Sequence, residues 1–222
     1  MDFLSASWWS ALAAIILINL VLAGDNAIVI ALAARRLPES IRTRAIVWGT
    51  VGAIVVRVIM TLGIVWLLRI PGLMLLGGLA LLWIAYQLLA DTGAHENQGA
   101  GATTFWAAMR TIVIADALMG IDNVLGVAGA ANGAIDLVVI GLVLSVPIIV
   151  AGSTLVLKLV ERFPVVIHIG AAVLAYTAAR MIVDEALLKP AFDEPLLRWA
   201  AYGIAIAGVL GAGEWRRRNA ML

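Results

Sequence analysis

The chain has 222 residues, 64% of them hydrophobic and 13% charged, and its mean hydropathy of +1.06 is foreign to soluble domains. Fifteen basic and 14 acidic residues leave a formal charge of +1, and there is no cysteine. These figures exclude a soluble enzyme, a nucleic-acid partner, a disordered chain, disulfides and thiolate metal chemistry, and they place 1–222 in the bilayer as a single transmembrane domain.

In chain order, apolar segments run from Trp8 to Ala34, Ala45 to Leu68, Gly72 to Ala90, Phe105 to Ala131, Ile135 to Leu157, Pro164 to Val183 and Leu196 to Ala212. A spanning helix takes about 20 apolar residues. Lipid leaves backbone polar groups unpaired unless they bond within a helix or a closed barrel, and a barrel would show short alternating segments. The expected fold is therefore an all-α integral membrane protein with seven transmembrane helices, the last one short. The opening MDFLSASWWS lacks the basic stretch of a secretory signal and reads as the start of an uncleaved first span. Leu37-Pro38-Glu39, Ile70-Pro71-Gly72, Phe163-Pro164 and Lys189-Pro190 supply turn chemistry at the breaks.

Arg35, Arg36, Arg42 and Arg44 follow span one, Lys158 and Arg162 separate spans five and six, and Arg216, Arg217 and Arg218 follow span seven. With alternate crossings these fall on one side, which cytoplasmic enrichment in Lys and Arg marks as inside. The expectation is a multi-pass protein of the cell inner (plasma) membrane, N-terminus outside and C-terminus cytoplasmic.

The sequence repeats itself. Asn19, Asp25 and Asn26 return as Asp116, Asp122 and Asn123 at an offset of 97, and Arg69, Pro71, Gly77, Leu81 and Asp91 return as Arg162, Pro164, Gly170, Leu174 and Asp184 at an offset of 93. Each copy holds three spans, an odd number, so the second enters the membrane inverted, and the corresponding loops swap from Arg-rich (35–44) to free of Lys and Arg (132–136). The expected organisation is repeat one over 8–91, an inner linker over 92–104, an inverted repeat two over 105–184 and a seventh helix over 196–213. Inverted repeats with a site at the midplane between them are a transporter architecture.

Asp25, Arg57, Asp116 and Asp122 interrupt apolar spans. Each costs about 2.5–3.5 kcal/mol at a helix centre, so they are expected to face one another or a wet cavity. Asn19 and Asn26 share a helix face, as do Asp116 and Asn123, but Asp25 and Asp122 point about a quarter-turn away from the neighbouring Asn. A break at Gly24 and Gly120 would let them converge; unbroken helices would leave Asp25 facing Asp122 across the repeat axis. Carboxylate and amide oxygens suit a hard divalent cation such as Mn²⁺, Mg²⁺ or Ca²⁺. The expected ligands are Asn19, Asp25, Asn26, Asp116, Asp122 and Asn123, with Arg57 as charge partner. Three aspartates against one arginine have the sign for a cation and the wrong one for an anion. Arg57 with one aspartate could alternatively be a structural pair that locks helices together.

Lesser expectations concern His168, His95 and Glu96 as structural or solvated groups, and Arg180 paired with Asp184 or Glu185 at a helix end. Pro147 is expected to kink span five. Trp8, Trp9, Trp106, Trp199 and Trp215 are read as interfacial anchors, and Gly203, Gly208 and Gly211 as packing contacts of span seven.

The stretch Asn19-Leu-Val-Leu-Ala-Gly24-Asp25-Asn26 with its Arg-rich exit, and Ala115-Asp116 followed by Asp122-Asn123, resemble the TerC family of integral membrane proteins in the wider LysE-type transporter group. The resemblance covers nearly the whole chain. It implies seven spans, a link to tellurium-resistance operons and, in several members, Mn²⁺ export, with the Asp and Asn motif residues as metal ligands. The charges favour a cation over a tellurium oxyanion. The resulting expectation is a non-enzymatic secondary transporter that exports a divalent metal, Mn²⁺ foremost, with protons as counter-ion. No cofactor is expected; the metal is cargo, the partners are that metal and the bilayer, and a homo-oligomer is compatible with the sequence. Two other readings stand beside it. One is a non-transporting scaffold or assembly factor. The other is an intramembrane aspartyl protease, against which Leu22-Ala23-Gly24-Asp25 lacks the first glycine of a Gly-x-Gly-Asp motif.

Overall fold

The computed structural model describes residues 5–21, 23–63, 70–90, 102–131 and 134–219. Among them the fold is all-helical: α1 (Ala6–Val21), α2 (Ala23–Ala34), α3 (Glu39–Leu62), α4 (Leu73–Ala90), α5 (Ala102–Ala131), α6 (Ile135–Arg162), α7 (Val165–Asp184) and α8 (Pro195–Asn219), with a 3-10 turn at Lys189–Phe192. Arg69, Asp91, His95 and Glu96 lie outside the described residues, as does the side chain of Asp122.

The boundaries follow local chemistry. Pro38, with φ −52° and ψ 142°, is extended and cannot continue a helix, so α3 starts at Glu39. Gly72 adopts φ +78°, a left-handed turn that favours glycine, just before α4. The basic segments expected as loops are largely helical: Arg42 and Arg44 sit in the first turns of α3, Lys158 and Arg162 in the last turns of α6, and Arg216 to Arg218 in α8. Pro147 lies within α6, which continues through it to Arg162.

Among the described residues five helices, α3, α4, α6, α7 and α8, are long and apolar enough to cross a membrane. A sixth span results if the Trp8–Asn19 and Gly24–Ala34 helices, inclined by 47°, are one bent crossing. Large apolar side chains are exposed on the perimeter, among them Trp48, Ile59, Leu76, Trp83, Leu155 and Ile204. Such a surface suits acyl chains and not water.

Glycines set the helix pairing. A Cβ at Gly49 would come within 2.8 Å of Ile112 and one at Gly52 within 3.1 Å of Val113, so α3 lies close against α5. Gly141 receives Ile15, and Gly152 lies opposite Ala27, so the α1–α2 stretch follows α6. In both pairs the contacts advance together along the two chains, so the helices run in the same sense. By contrast, Gly77 meets Met181 and Gly78 meets Ile182 and the Ala178 carbonyl, while Glu185 reaches Gly72, so α4 and α7 run oppositely.

Two expectations are corrected. Trp8 is only 3% exposed; its indole N–H donates to Asp136 at 3.2 Å, which joins α1 to the start of α6 and removes it from the interface. Trp9, Trp106, Trp199 and Trp215 are exposed. Gly203, Gly208 and Gly211 face open space, with no atom within 4 Å of a Cβ built there, and the glycine that docks α8 is Gly213, against Leu89. The reason is rotational: Gly213 lies on the same face as buried Tyr202 and Val209, and the other three point away.

Candidate functional site

α3 enters the core beside α5 through Gly49 and Gly52, and two turns further along it carries Arg57. Its side chain is 2% exposed, and its terminal nitrogen lies 2.5 Å from Asp116 Oδ1 on α5, itself 7% exposed. A guanidinium and a carboxylate that bury each other offset a desolvation cost that neither could bear alone. The pair is nonetheless half made: Arg57 Nε and Asp116 Oδ2 are both buried without a hydrogen-bond partner. Gly120, one turn beyond Asp116, faces the guanidinium; a Cβ there would sit 3.6 Å from Nε.

The bend between Asn19 and Gly24 gives the first half its contribution. It makes Asp25 a first-turn residue of α2, where free backbone N–H groups and the helix dipole favour a carboxylate. Asp25 Oδ1 accepts the Asn26 N–H at 2.9 Å, and the charges of Arg57 and Asp116 lie within electrostatic reach of it. Aspartates from the two sequence halves thus feel the charge of one cation, Arg57.

Asn19 and Asn26 are fully buried, and both side-chain atoms of each lack a partner. Unpartnered buried polar atoms cost about 1–3 kcal/mol each, and these two asparagines hold four of them. Asn123 is buried on α5. Of the expected residues, the structure pairs Arg57 with Asp116, holds Asp25 within electrostatic reach of both, and buries Asn19, Asn26 and Asn123; the side chain of Asp122 lies outside the described residues. No group of three or more histidine, cysteine or acidic side chains that could hold a metal occurs among the described residues. A cation here would draw on two carboxylates and neutral amide oxygens.

The roles of two residues escaped the sequence reading. Thr50 is buried with its hydroxyl unpartnered; seven residues before Arg57, it shares that face of α3, and this spacing was its one sequence signal. Glu185 is buried beyond the end of α7 and accepts N–H groups of Gly72, Met74 and Leu75 at 3.1–3.3 Å, which caps α4. Burial raises its pKa, but the backbone donors of Gly72, Leu75, Leu187 and Met74 outweigh this and hold the carboxyl below its ordinary value. Arg180 pairs with Asp184 at 3.7 Å, and Arg198 pairs with it too.

The charged ends differ. At one, Arg35 donates to the Leu88 carbonyl at 2.8 Å, Arg42 pairs with Glu161 at 2.5 Å, and His168 lies 3.4 Å from Glu214. At the other are the Trp8–Asp136 bond and the Glu185 cap.

Comparison with known proteins agrees that the chain is a membrane protein. A family model described as "Integral membrane protein TerC family" matches residues 4–220. The chain is 46% identical over 172 residues, 78% of each chain, to "Uncharacterized membrane protein YjbE" of Bacillus subtilis (strain 168). It is 25% identical over 194 residues, 80% of this chain and 81% of the other, to "UPF0053 inner membrane protein YgdQ" of Escherichia coli (strain K12). "UPF0053 inner membrane protein YoaE" of the same strain is 26% identical over 187 residues, 75% of this chain but 36% of the longer relative. No solved structure matches.

Proposed function

The chain belongs to the TerC family of integral membrane proteins, and from that premise we propose that it is a secondary transporter of a hard divalent cation, exporting Mn²⁺ in exchange for protons. The observation that carries this reading is the set of buried, unpartnered oxygens on helices packed against one another: Asn19 Oδ1 on α1, Asn26 Oδ1 on α2 and Asp116 Oδ2 on α5. Asp25, Asp122 and Asn123 complete the proposed ligand set. Oxygen donors of this kind suit Mn²⁺, Mg²⁺ or Ca²⁺ better than softer ions.

The helix pairing supports an inverted-repeat carrier. Counting α1–α2 as one span and α5 as another gives seven. Exchanging the two halves turns the α3–α5 pair into the pair of α6 with span one, both with helices in the same sense, and maps the opposed α4–α7 pair onto itself. The cation-rich end that holds Arg35, Arg42, Lys158 and Arg216 to Arg218 is assigned to the cytoplasm.

Export of a divalent cation against an inside-negative potential of about 100 mV costs about 4.6 kcal/mol, so a counter-ion is required. Protons that neutralise the aspartates after metal release fill that role. The test is metal flux in proteoliposomes: Mn²⁺ transport that Asp25→Asn and Asp122→Asn each abolish, with folding retained, supports the carrier, and unchanged flux in both variants removes the site assignment. The scaffold reading draws on the same Arg57–Asp116 contact, which joins α3 to α5. It requires a folded wild-type chain with no flux at all.

A further inference from the structure

We propose that Arg57 is a tethered surrogate cation: its guanidinium occupies Asp116 while the carrier is empty and yields that carboxylate when a divalent ion arrives. This rests on the cation-carrier reading above and adds how the site is regulated between loads.

A pair built only to lock α3 to α5 would use the planar fork of arginine on both carboxylate oxygens, because a dry ion pair recovers its desolvation cost through complete hydrogen bonding. Here the contact is end-on. One terminal nitrogen meets Asp116 Oδ1, while Nε and Oδ2 remain buried and unpartnered. The carboxylate thus presents a free oxygen to a second cation, and the guanidinium is held by one of its donors. Packing on the α5 side is open by about a methyl group, since a Cβ built at Gly120 would meet Nε only at ordinary contact distance, 3.6 Å.

The repeat sharpens the argument. At the two repeat offsets Arg57 corresponds to Val150 and Thr154, so the second half has no matching base. A cation that served the symmetric framework would have a twin; a single one serves the site. Chemically, an empty site reorients through a medium of low dielectric constant, where each carboxylate needs a proton or a counter-charge. Protons neutralise Asp25 and Asp122, and Arg57 supplies the charge for Asp116. In the loaded half, guanidinium and divalent ion repel, so each loosens the other by the same factor, as linkage requires. The cation is then bound weakly enough to be released.

The experiment compares equilibrium binding with flux. Mn²⁺ is titrated calorimetrically into the purified wild-type chain, Arg57→Gln and Arg57→Lys, with helix content and monodispersity recorded, and the same proteins are assayed for Mn²⁺ flux in proteoliposomes. Removal of the competitor in Arg57→Gln is expected to tighten binding at least tenfold while flux falls at least tenfold. Arg57→Lys, a point charge without the fork, is expected to lie between the two in affinity. A simple strut predicts the reverse split, with affinity unchanged or weakened along with flux, and that result in a folded variant overturns the proposal. Should Arg57→Gln fail to fold, Arg57→Lys decides: affinity equal to or below wild type overturns the proposal, and a severalfold gain upholds it. Absence of Mn²⁺ binding and flux in the wild-type chain itself would remove the carrier reading, whereas normal wild-type flux without tightening in the variants removes only the surrogate-cation role.

Discussion

The stretch from Ala6 to Ala34 divides into α1 and α2, inclined by 47°, whereas its repeat counterpart α5 runs unbroken from Ala102 to Ala131, about 45 Å at the usual helical rise. Both carry a glycine just ahead of an aspartate, Gly24 before Asp25 and Gly120 before Asp122. The glycine alone therefore does not break the helix. Gly24 is exposed with no atom near its missing side chain, while Gly120 faces Arg57, and α5 is braced along α3 where Gly49 and Gly52 admit Ile112 and Val113. The stretch from α1 to α2 is braced too, along α6 where Gly141 admits Ile15, so the difference is local: a neighbour faces Gly120, and none faces Gly24, where the first helix turns.

The two acids should then fail in different ways. The largest effect is expected for Asp116→Ala, which strands Arg57 in the core: a loss of about 3–5 kcal/mol in unfolding free energy, read from chemical unfolding in detergent, together with loss of Mn²⁺ flux. Adding Arg57→Gln to that variant should restore most of the stability and none of the flux. Asp25→Asn should abolish flux yet stay within about 1 kcal/mol of wild-type stability, because Asp25 has no ion pair among the described residues and accepts the Asn26 N–H, a bond an amide oxygen can keep. Equal destabilisation by the two substitutions would erase the contrast between the halves.

Next in size is Gly141→Ala, where a Cβ would lie 2.5 Å from Ile15; overpacking of this kind costs about 1–3 kcal/mol and should loosen span one from α6 in thermal unfolding. Glu185→Gln should cost about 1–2 kcal/mol at neutral pH. The folded-state pKa of Glu185 is depressed, so its contribution is complete above the unfolded glutamate value of about 4.3 and vanishes as pH falls through the lower folded value. Unfolding curves of wild type and Glu185→Gln should therefore converge on acidification and separate above that window. The smallest effect belongs to Gly24→Ala, whose Cβ meets nothing: a gain of about 0.5–1 kcal/mol, with slower flux if the bend must flex.

Much of this was visible in the residues. Asp25, Arg57 and Asp116 stood out because charges interrupt apolar runs, and for Arg57 and Asp116 burial with mutual compensation is the outcome that physics allows. The helical class and the breaks at Pro38 and Pro164 were equally open to reading. Hidden were the features set by contacts between distant segments. Trp8 looked like an interfacial anchor because its partner Asp136 lies 128 residues away. Gly213, not Gly203, packs because the rotation of α8 depends on Leu89. Glu185 reads as one more loop acid until α4 places its bare N–H groups above it.

The interlocking of Ile112 and Val113 into the notches at Gly49 and Gly52 has a mechanical corollary. Surfaces keyed at that depth cannot slide past each other by a fraction of a turn without collision, so α3 and α5 must travel as one plank. Spin labels placed on those two helices should hold a constant separation whichever side of the membrane is open, and any rocking should appear between that plank and the α6 flank of the molecule.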